Sequence, residues 1–527
     1  MIPSLAKFGV LLVQLAPGAT PEAILPVVKA FNDSAIGSPR TIAAAGSQNS
    51  GNPIYSAGSV HNLLVNQVVV RFRRGTDPQF IASTFSALGA EVIRAPADTD
   101  RSPYLIQFPG LSGHAVRERS NRLDALDSVV YAQPNFIAID PQRLSGGGLA
   151  TINACSLKCP YPITSASGAD PYFANQWHLE NTGVVGRKYS DLNAEKAWEV
   201  TTGSPQVVIA ILDDLVEAGH EDLEGKIESS WNSFTQNGTP SSLELKDTDV
   251  HGTAVAGLAA AVTGNPKGIA GIAPLVSIYP VRTHDPTFPW HVIAEGIKHA
   301  ADHARVLSMS WTLGWPEAHN NDGVPGIVEI EEAIAYALEK KAVLVFAAGN
   351  EPGLSGRTAD YPASQADVLP IIAVSATDQS DARHKRGSLS DPCGWSSNYS
   401  VDAVAAPGVD LQTTDRMGTA GYCTTGVDSN YARFDGTSAA TPLVAGIVAL
   451  MLSKEPGLTA QQIKTRLQET AAHPNPTCTQ QNSSCRPNDG AGWGLGWGRV
   501  DACKALGGGD SCARSARPMP PGFLVVQ

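Results

Sequence analysis

Four short runs of this 527-residue chain carry side chains suited to nucleophilic acyl transfer. Ser438 lies in Gly436-Thr437-Ser438-Ala439-Ala440-Thr441-Pro442, directly before an apolar stretch over 443–452. His251 opens His251-Gly252-Thr253 and is followed by small residues up to 262. Asp213 ends the apolar run 207–212, and Asn350 follows Gly349 at the end of the apolar run 342–347. A serine can attack a carbonyl if a base takes its proton. A histidine is that base if a carboxylate orients it. The tetrahedral intermediate then needs N–H donors, which an Asn amide and the N–H groups at a helix start supply. Each run alone has a plainer explanation, as a helix cap or a turn. The combination of Asp, His, Asn and Ser supplies every role in one chain.

Elements of the right kind surround these runs. From about residue 171, buried apolar strands alternate with helical patterns, which predicts an α/β unit with a mainly parallel sheet. Strands are expected over 207–212 and 342–347, and helices over 252–262, 327–340 and 443–452. Asp213 and Asn350 would then lie at the C-terminal edge of the sheet, where such folds place their sites. His251 and Ser438 would lie at helix starts, with Pro442 in a first turn that tolerates it.

Upstream, residues 63–140 read as strand, helix, strand, strand, helix, strand, the order of a small α+β ferredoxin-like sandwich. Residues 141–170 are rich in Gly, Ser, Pro and Cys and read as a linker. The tail 507–527 is Gly- and Pro-rich and reads as loosely held. Segment 1–62 has two readings. Lys7 and the apolar run after it suit a short signal region. Alternatively, residues 12–24 align without gaps on 69–81 and form a degenerate repeat.

Composition sets outer limits. Apolar residues make up 43% of the chain and charged residues 17%, a globular balance, and the net charge of -12 argues against nucleic-acid binding. No run approaches the ~18 apolar residues of a membrane helix. The eight cysteines lie in loop-like sequence without a CxxC pair, which favours disulfides in an oxidising compartment over a metal site. Pairing of neighbours, Cys155 with Cys159, Cys478 with Cys485 and Cys503 with Cys512, is the simplest arrangement.

The four runs, in this order, resemble those of subtilisin-like serine proteases across most of 171–506. Further stretches agree: Asn175-Gln176-Trp177-His178-Leu179, Met309-Ser310-Trp311, Tyr361-Pro362-Ala363, Ala405-Ala406-Pro407-Gly408 and Gly498-Arg499-Val500-Asp501-Ala502. The resemblance implies a three-layer fold with a mainly parallel sheet and a secreted serine endopeptidase acting on protein or peptide substrates. Ser438 would be the nucleophile, His251 the base, Asp213 the orienting acid and Asn350 an oxyanion donor. Ser310, Trp311, Thr312 and Gly349 would line the substrate groove. Residues 63–140 resemble the family's inhibitory propeptide, so the chain would be made as a zymogen with its own propeptide as intramolecular inhibitor, cut within 141–170. The resemblance implies no cofactor for the chemistry. It suggests a structural calcium held by Asp222, Gln176 and Asn265, and a monomer.

Two positions depart from the family pattern. Leu215 stands where a glycine is usual two residues after the acid, and Ala254 where a polar residue is usual. Leu215 leaves open the alternative of a weakened pseudoprotease acting as a binding module. Asp213-Asp214 and Ser310-Trp311 lean toward the kexin-like branch, with Glu317, Asp322 or Glu351 as candidate acids for a basic substrate residue.

Overall fold

The computed structural model describes residues 54–57, 60–96, 102–111, 113–139, 159–161, 170–183, 185–238, 245–246, 249–284, 287–313, 328–350, 359–385, 394–424, 428–472 and 494–513. Several expectations lie outside these residues: the signal or repeat reading before residue 54, the acids Glu317, Asp322 and Glu351, and Cys155, Cys393, Cys478 and Cys485. The chain divides into two compact units. One takes in 1–148, 284–295 and 313–333, and the other 149–283, 296–312 and 334–527.

In chain order the elements begin with β1 (Ile54–Ala57), β2 (Val60–Phe72), α1 (Pro78–Leu88), β3 (Glu91–Arg94), β4 (Tyr104–Gln107), α2 (Gly113–Asp124) and β5 (Val129–Ile139). They continue with α3 (Ala194–Trp198), β6 (Val208–Asp213), β7 (Trp231–Asn232), α4 (His251–Ala260), β8 (Ser277–Arg282), β9 (Thr287–Pro289), α5 (Trp290–His303), β10 (Val306–Met309), α6 (Val328–Glu339) and β11 (Val343–Ala347). The last are β12 (Ile372–Thr377), β13 (Val404–Pro407), β14 (Leu411–Thr414), β15 (Tyr431–Phe434), α7 (Thr437–Lys454), α8 (Ala460–Thr470) and α9 (Ala502–Ala505).

The first unit has the expected alternation. Asp77 caps α1 by accepting the Gln79 N–H at 2.9 Å, Pro78 occupies the first turn, and Gly89 closes the helix at φ 71°. The sheet order is β3-β4-β2-β5-β9, with antiparallel pairing throughout. Within 63–140 this is the ferredoxin-like arrangement. Val68, Val70, Phe72, Ile106 and Phe108 turn inward, and Phe72, Phe85 and Tyr104 meet edge to face. Strand β2 starts eight residues before the 68–72 run that alternation marks, because its pairing with β5 shifts register between Leu64 and Val68.

The second unit is built on a seven-stranded sheet of order β13-β12-β11-β10-β6-β8-β7, every pair parallel. Flanking helices complete the three-layer α/β architecture. Such a sheet is covered on both faces, which explains strands apolar throughout rather than alternating. The chain runs from β6 to β8 on one side and then crosses to β10 on the other. The C-terminal edge between β6 and β10 is therefore a switch point, where a crevice opens. Helix α7 is buried from Thr437 to Leu452 and packs on β10, β11 and β12. It is long and apolar enough by composition to cross a membrane, but 83% of that window is buried inside the unit. Helix α8 starts in a capping box between Thr459 and Gln462.

The disulfides differ in part from neighbour pairing. Cys503 does pair with Cys512, nine residues on, which holds 507–513 in place rather than loose. Cys159 instead pairs with Cys423, 264 residues away. The described part of the expected linker is thus a strap on the β14–β15 hairpin. Arg433 Nε donates to the Cys159 carbonyl at 3.0 Å, its guanidinium lies 4.6 Å from the Tyr161 ring centroid, and the Tyr161 hydroxyl bonds Asp410. Local spacing cannot reveal a partner brought near by tertiary structure.

Candidate active site

Asp213 ends β6, where its carbonyl accepts the Thr283 N–H at 2.9 Å. Its carboxylate is 1% exposed, and both oxygens lie 2.9 Å from His251 Nδ1. A carboxylate only accepts, so Nδ1 carries the proton and Nε2 is left as the basic nitrogen. The imidazole edge also meets the Phe434 ring, with centroids 5.1 Å apart. Phe434 belongs to β15, and the hairpin is fixed to the head of α4. Thr413 and Thr414 hydroxyls donate to the Ala254 and Thr253 carbonyls, each at 2.7 Å.

Ser438 is the second residue of α7, after Gly436 at φ 113°, a value that favours glycine. Its N–H is among the first four of the helix, which have no intrahelical partner. The side chains and carbonyls of Ser438 and Ser310 bond reciprocally: Ser438 Oγ donates to the Ser310 carbonyl at 3.1 Å, and Ser310 Oγ to the Ser438 carbonyl at 3.0 Å. Ser310 directly follows β10, which ties that strand end to the helix start.

Asn350 follows β11 at the same edge of the sheet. Its Oδ1 accepts the Thr437 N–H at 2.8 Å and the Thr437 hydroxyl at 3.0 Å. With the oxygen occupied, the amide orientation is fixed and Nδ2 is left as the donor end. Gly349 turns at φ 110°, and its N–H donates to Thr437 Oγ1 at 3.2 Å. Trp311 Nε1 donates to the Leu212 carbonyl at 2.8 Å, and Thr312 Oγ1 to Asp360 at 3.2 Å. All eight residues expected at the site thus sit on strand ends or helix starts of the second unit.

The turn after Asp213 holds without a glycine. Leu215 is buried and is not among the residues with positive φ. Its N–H donates to Asp214 Oδ1 at 2.8 Å. The glycine that matters lies opposite: a Cβ on Gly252 would sit 2.3 Å from the Leu215 carbonyl oxygen. Close backbone approach is therefore supplied by Gly252 rather than by position 215. Beyond the expected residues, Phe434, Thr437 and Asp214 also build the site; Thr437 and Asp214 stand in the motifs named above without a role, and Phe434 carries no sequence signal. A further buried pair, Asp249 with Arg282, lies beside them. Burial and the neighbouring Asp214 charge push the Asp249 carboxyl up, against the pull of Arg282.

The three expected calcium ligands come together, but not as ligands. Asp222 Oδ1 accepts Asn265 Nδ2 at 3.0 Å, and Oδ2 accepts the Ile269 N–H at 2.8 Å. Asn265 Oδ1 is turned to the Lys267 N–H at 3.2 Å. Gln176 is engaged with Ala270 through both ends of its amide. Burial pushes the Asp222 carboxyl up to about 7. Calcium takes six to eight oxygens. Here it would face an amide nitrogen and a backbone N–H, so the arrangement does not fit the ion. Among the described residues no group of three or more His, Cys, Asp or Glu side chains suits a metal.

Residues 204–494 match the Subtilase family, Peptidase S8. The chain is 37% identical over 308 residues to thermitase of Thermoactinomyces vulgaris, covering 57% of this chain and 90% of that protein. It is 26% identical over 481 residues to a calcium-dependent protease of Nostoc sp., covering 87% of this chain and 65% of that one. The fold is similar to the crystal structure of fervidolysin from Fervidobacterium pennivorans, with TM-score 0.58 at 22% identity, covering 89% of this chain and 62% of that one. The chain belongs to the subtilase family and is a subtilisin-like serine endopeptidase.

Proposed function

We propose that Ser438, His251 and Asp213 hydrolyse peptide bonds through an acyl-enzyme, with Asn350 as oxyanion donor. The observation that carries this reading is the double contact of His251 Nδ1 with Asp213 at 2.9 Å, at the head of a helix beside the sheet edge that also presents Asn350. Ser438 Oγ gives its proton to His251 Nε2, rather than to the Ser310 carbonyl, as it bonds to the substrate carbonyl carbon. The carbonyl oxygen becomes an oxyanion, held by Asn350 Nδ2 and the Ser438 N–H. His251 then donates the proton to the leaving amine as the C–N bond breaks. Water, deprotonated by the same nitrogen, releases the acid product and restores Ser438.

The chain is made as a zymogen on this reading. Residues 63–140 act as an intramolecular inhibitor, and 171–506 form the catalytic domain. The ferredoxin-like arrangement of 63–140 supports this, as does the continuation of β5 into pairing with β9 inside the first unit. Secretion is supported by the two disulfides among the described residues, and the enzyme acts as a monomer. Calcium dependence is in the name of the Nostoc relative. The donor orientation around Asp222 argues against carrying it over.

Purified Ser438→Ala is the test. It should cleave no peptide and should keep its full length, while the wild-type chain loses its N-terminal part. A Ser438→Ala protein that matures normally overturns the reading.

A further inference from the structure

Helix α4 lacks a local cap. Its N-cap residue is Val250, which has no side-chain acceptor. The N–H groups at its start are taken instead by Asp214, the residue after β6. Asp214 Oδ2 accepts the His251 N–H at 3.0 Å, and Oδ1 accepts the Gly252 N–H at 2.7 Å. Oδ1 also accepts the Leu215 N–H of its own turn. One carboxylate, 7% exposed, thus joins the turn after Asp213 to the first two residues of the histidine helix. Glycine at 252 makes this possible, since a Cβ there would lie 2.9 Å from Asp214 Oδ1.

We propose that Asp214 is a positioning residue for His251. It rests on the triad reading above and deepens it. Asp213 fixes the imidazole ring, and Asp214 fixes the backbone that carries it, so adjacent residues of one strand end set both coordinates of the base. The charged groups around this helix head are Asp213 at the end of β6, Asp214 after it, Asp249 just before α4, Arg282 on β8, and the Glu217–Arg416 pair. Of these, Asp214 is the one that bonds the His251 main chain.

Two variants of the full chain, Asp214→Asn and Asp214→Thr, test this. Both remove the charge. Asn presents an N–H₂ toward donors, whereas Thr keeps a hydroxyl acceptor. Asp214→Asn should lose about tenfold or more in kcat with little change in KM, the mark of a misplaced base. Asp214→Thr should recover most of that kcat. Lower thermal stability with kcat and KM at wild-type values in both variants would show a merely structural cap and overturn the proposal. If Asp214→Asn does not fold, Asp214→Ala against Asp214→Thr decides: a lower kcat at unchanged KM in Asp214→Ala alone supports the proposal, and equal kcat in the two overturns it. Failure of the triad reading is separate: it appears as activity surviving in Ser438→Ala, whereas the Asp214 variants bear only on how His251 is held.

Discussion

Replacing Asn350 by leucine keeps the volume of the side chain and removes both polar ends. The two ends have different consequences. On the proposed mechanism, loss of Nδ2 removes a donor used only when the oxyanion forms. For the corresponding kind of donor in a subtilisin, a relative of this chain, the loss is about 10²–10³ in kcat, or ~2.7–4 kcal/mol. Loss of Oδ1 strands the Thr437 N–H and hydroxyl, on a residue with 0% exposure. Leaving a buried donor without an acceptor costs about 1–3 kcal/mol. Asn350→Leu should therefore fall by about 10²–10³ in kcat with KM within about twofold of wild type, and melt several degrees lower. Initial rates on a peptide amide across a range of concentrations, together with thermal melting, read both effects. A raised KM at wild-type kcat would mean that Asn350 contributes to substrate binding rather than to the oxyanion, and would refute the assignment.

Two further predictions concern stability. His178 is fully buried, both ring nitrogens have no partner, and burial pushes its pKa from 6.5 down to about 3. The unfolded chain then binds a proton that the folded one refuses, so stability is full above about pH 6.5 and falls as pH drops toward 3, by about 5 kcal/mol in all. His178→Phe should flatten this slope in urea unfolding between pH 6.5 and 3; an unchanged slope would show that His178 is not its source. Removing the Cys159–Cys423 bond in a Cys159→Ser, Cys423→Ser variant should cost about 2–4 kcal/mol of unfolding free energy, since it closes a very long loop. Equal stability of variant and wild type would show that the strap contributes nothing.

The four candidate residues are legible because each is placed by local sequence. An apolar strand ends at Asp213, another at Asn350, and small residues follow His251 and Ser438. The ferredoxin-like order of 63–140 is legible for the same reason, as alternation and helical periodicity are local. What escapes the sequence is set by distant partners. Val250 at the head of α4 gives no sign that Asp214 caps the helix. Cys159 gives no sign of Cys423. Leu215 looks like a defect until Gly252 is seen across from it, taking over the close approach. The calcium expectation reads the right residues in the right place, but side-chain orientation decides whether Asn265 offers oxygen or nitrogen. That orientation is fixed by the Lys267 N–H, two residues on.

The reading stands on Ser438 being the nucleophile activated by His251. Incubating the mature enzyme with a fluorophosphonate that reacts with activated serines, then mapping the adduct by peptide mass spectrometry, measures this directly. One adduct per chain, on Ser438, with activity lost in parallel and labelling abolished in His251→Ala, is the predicted result. An adduct on another serine with full loss of activity, or undiminished labelling of Ser438 in His251→Ala, would contradict it.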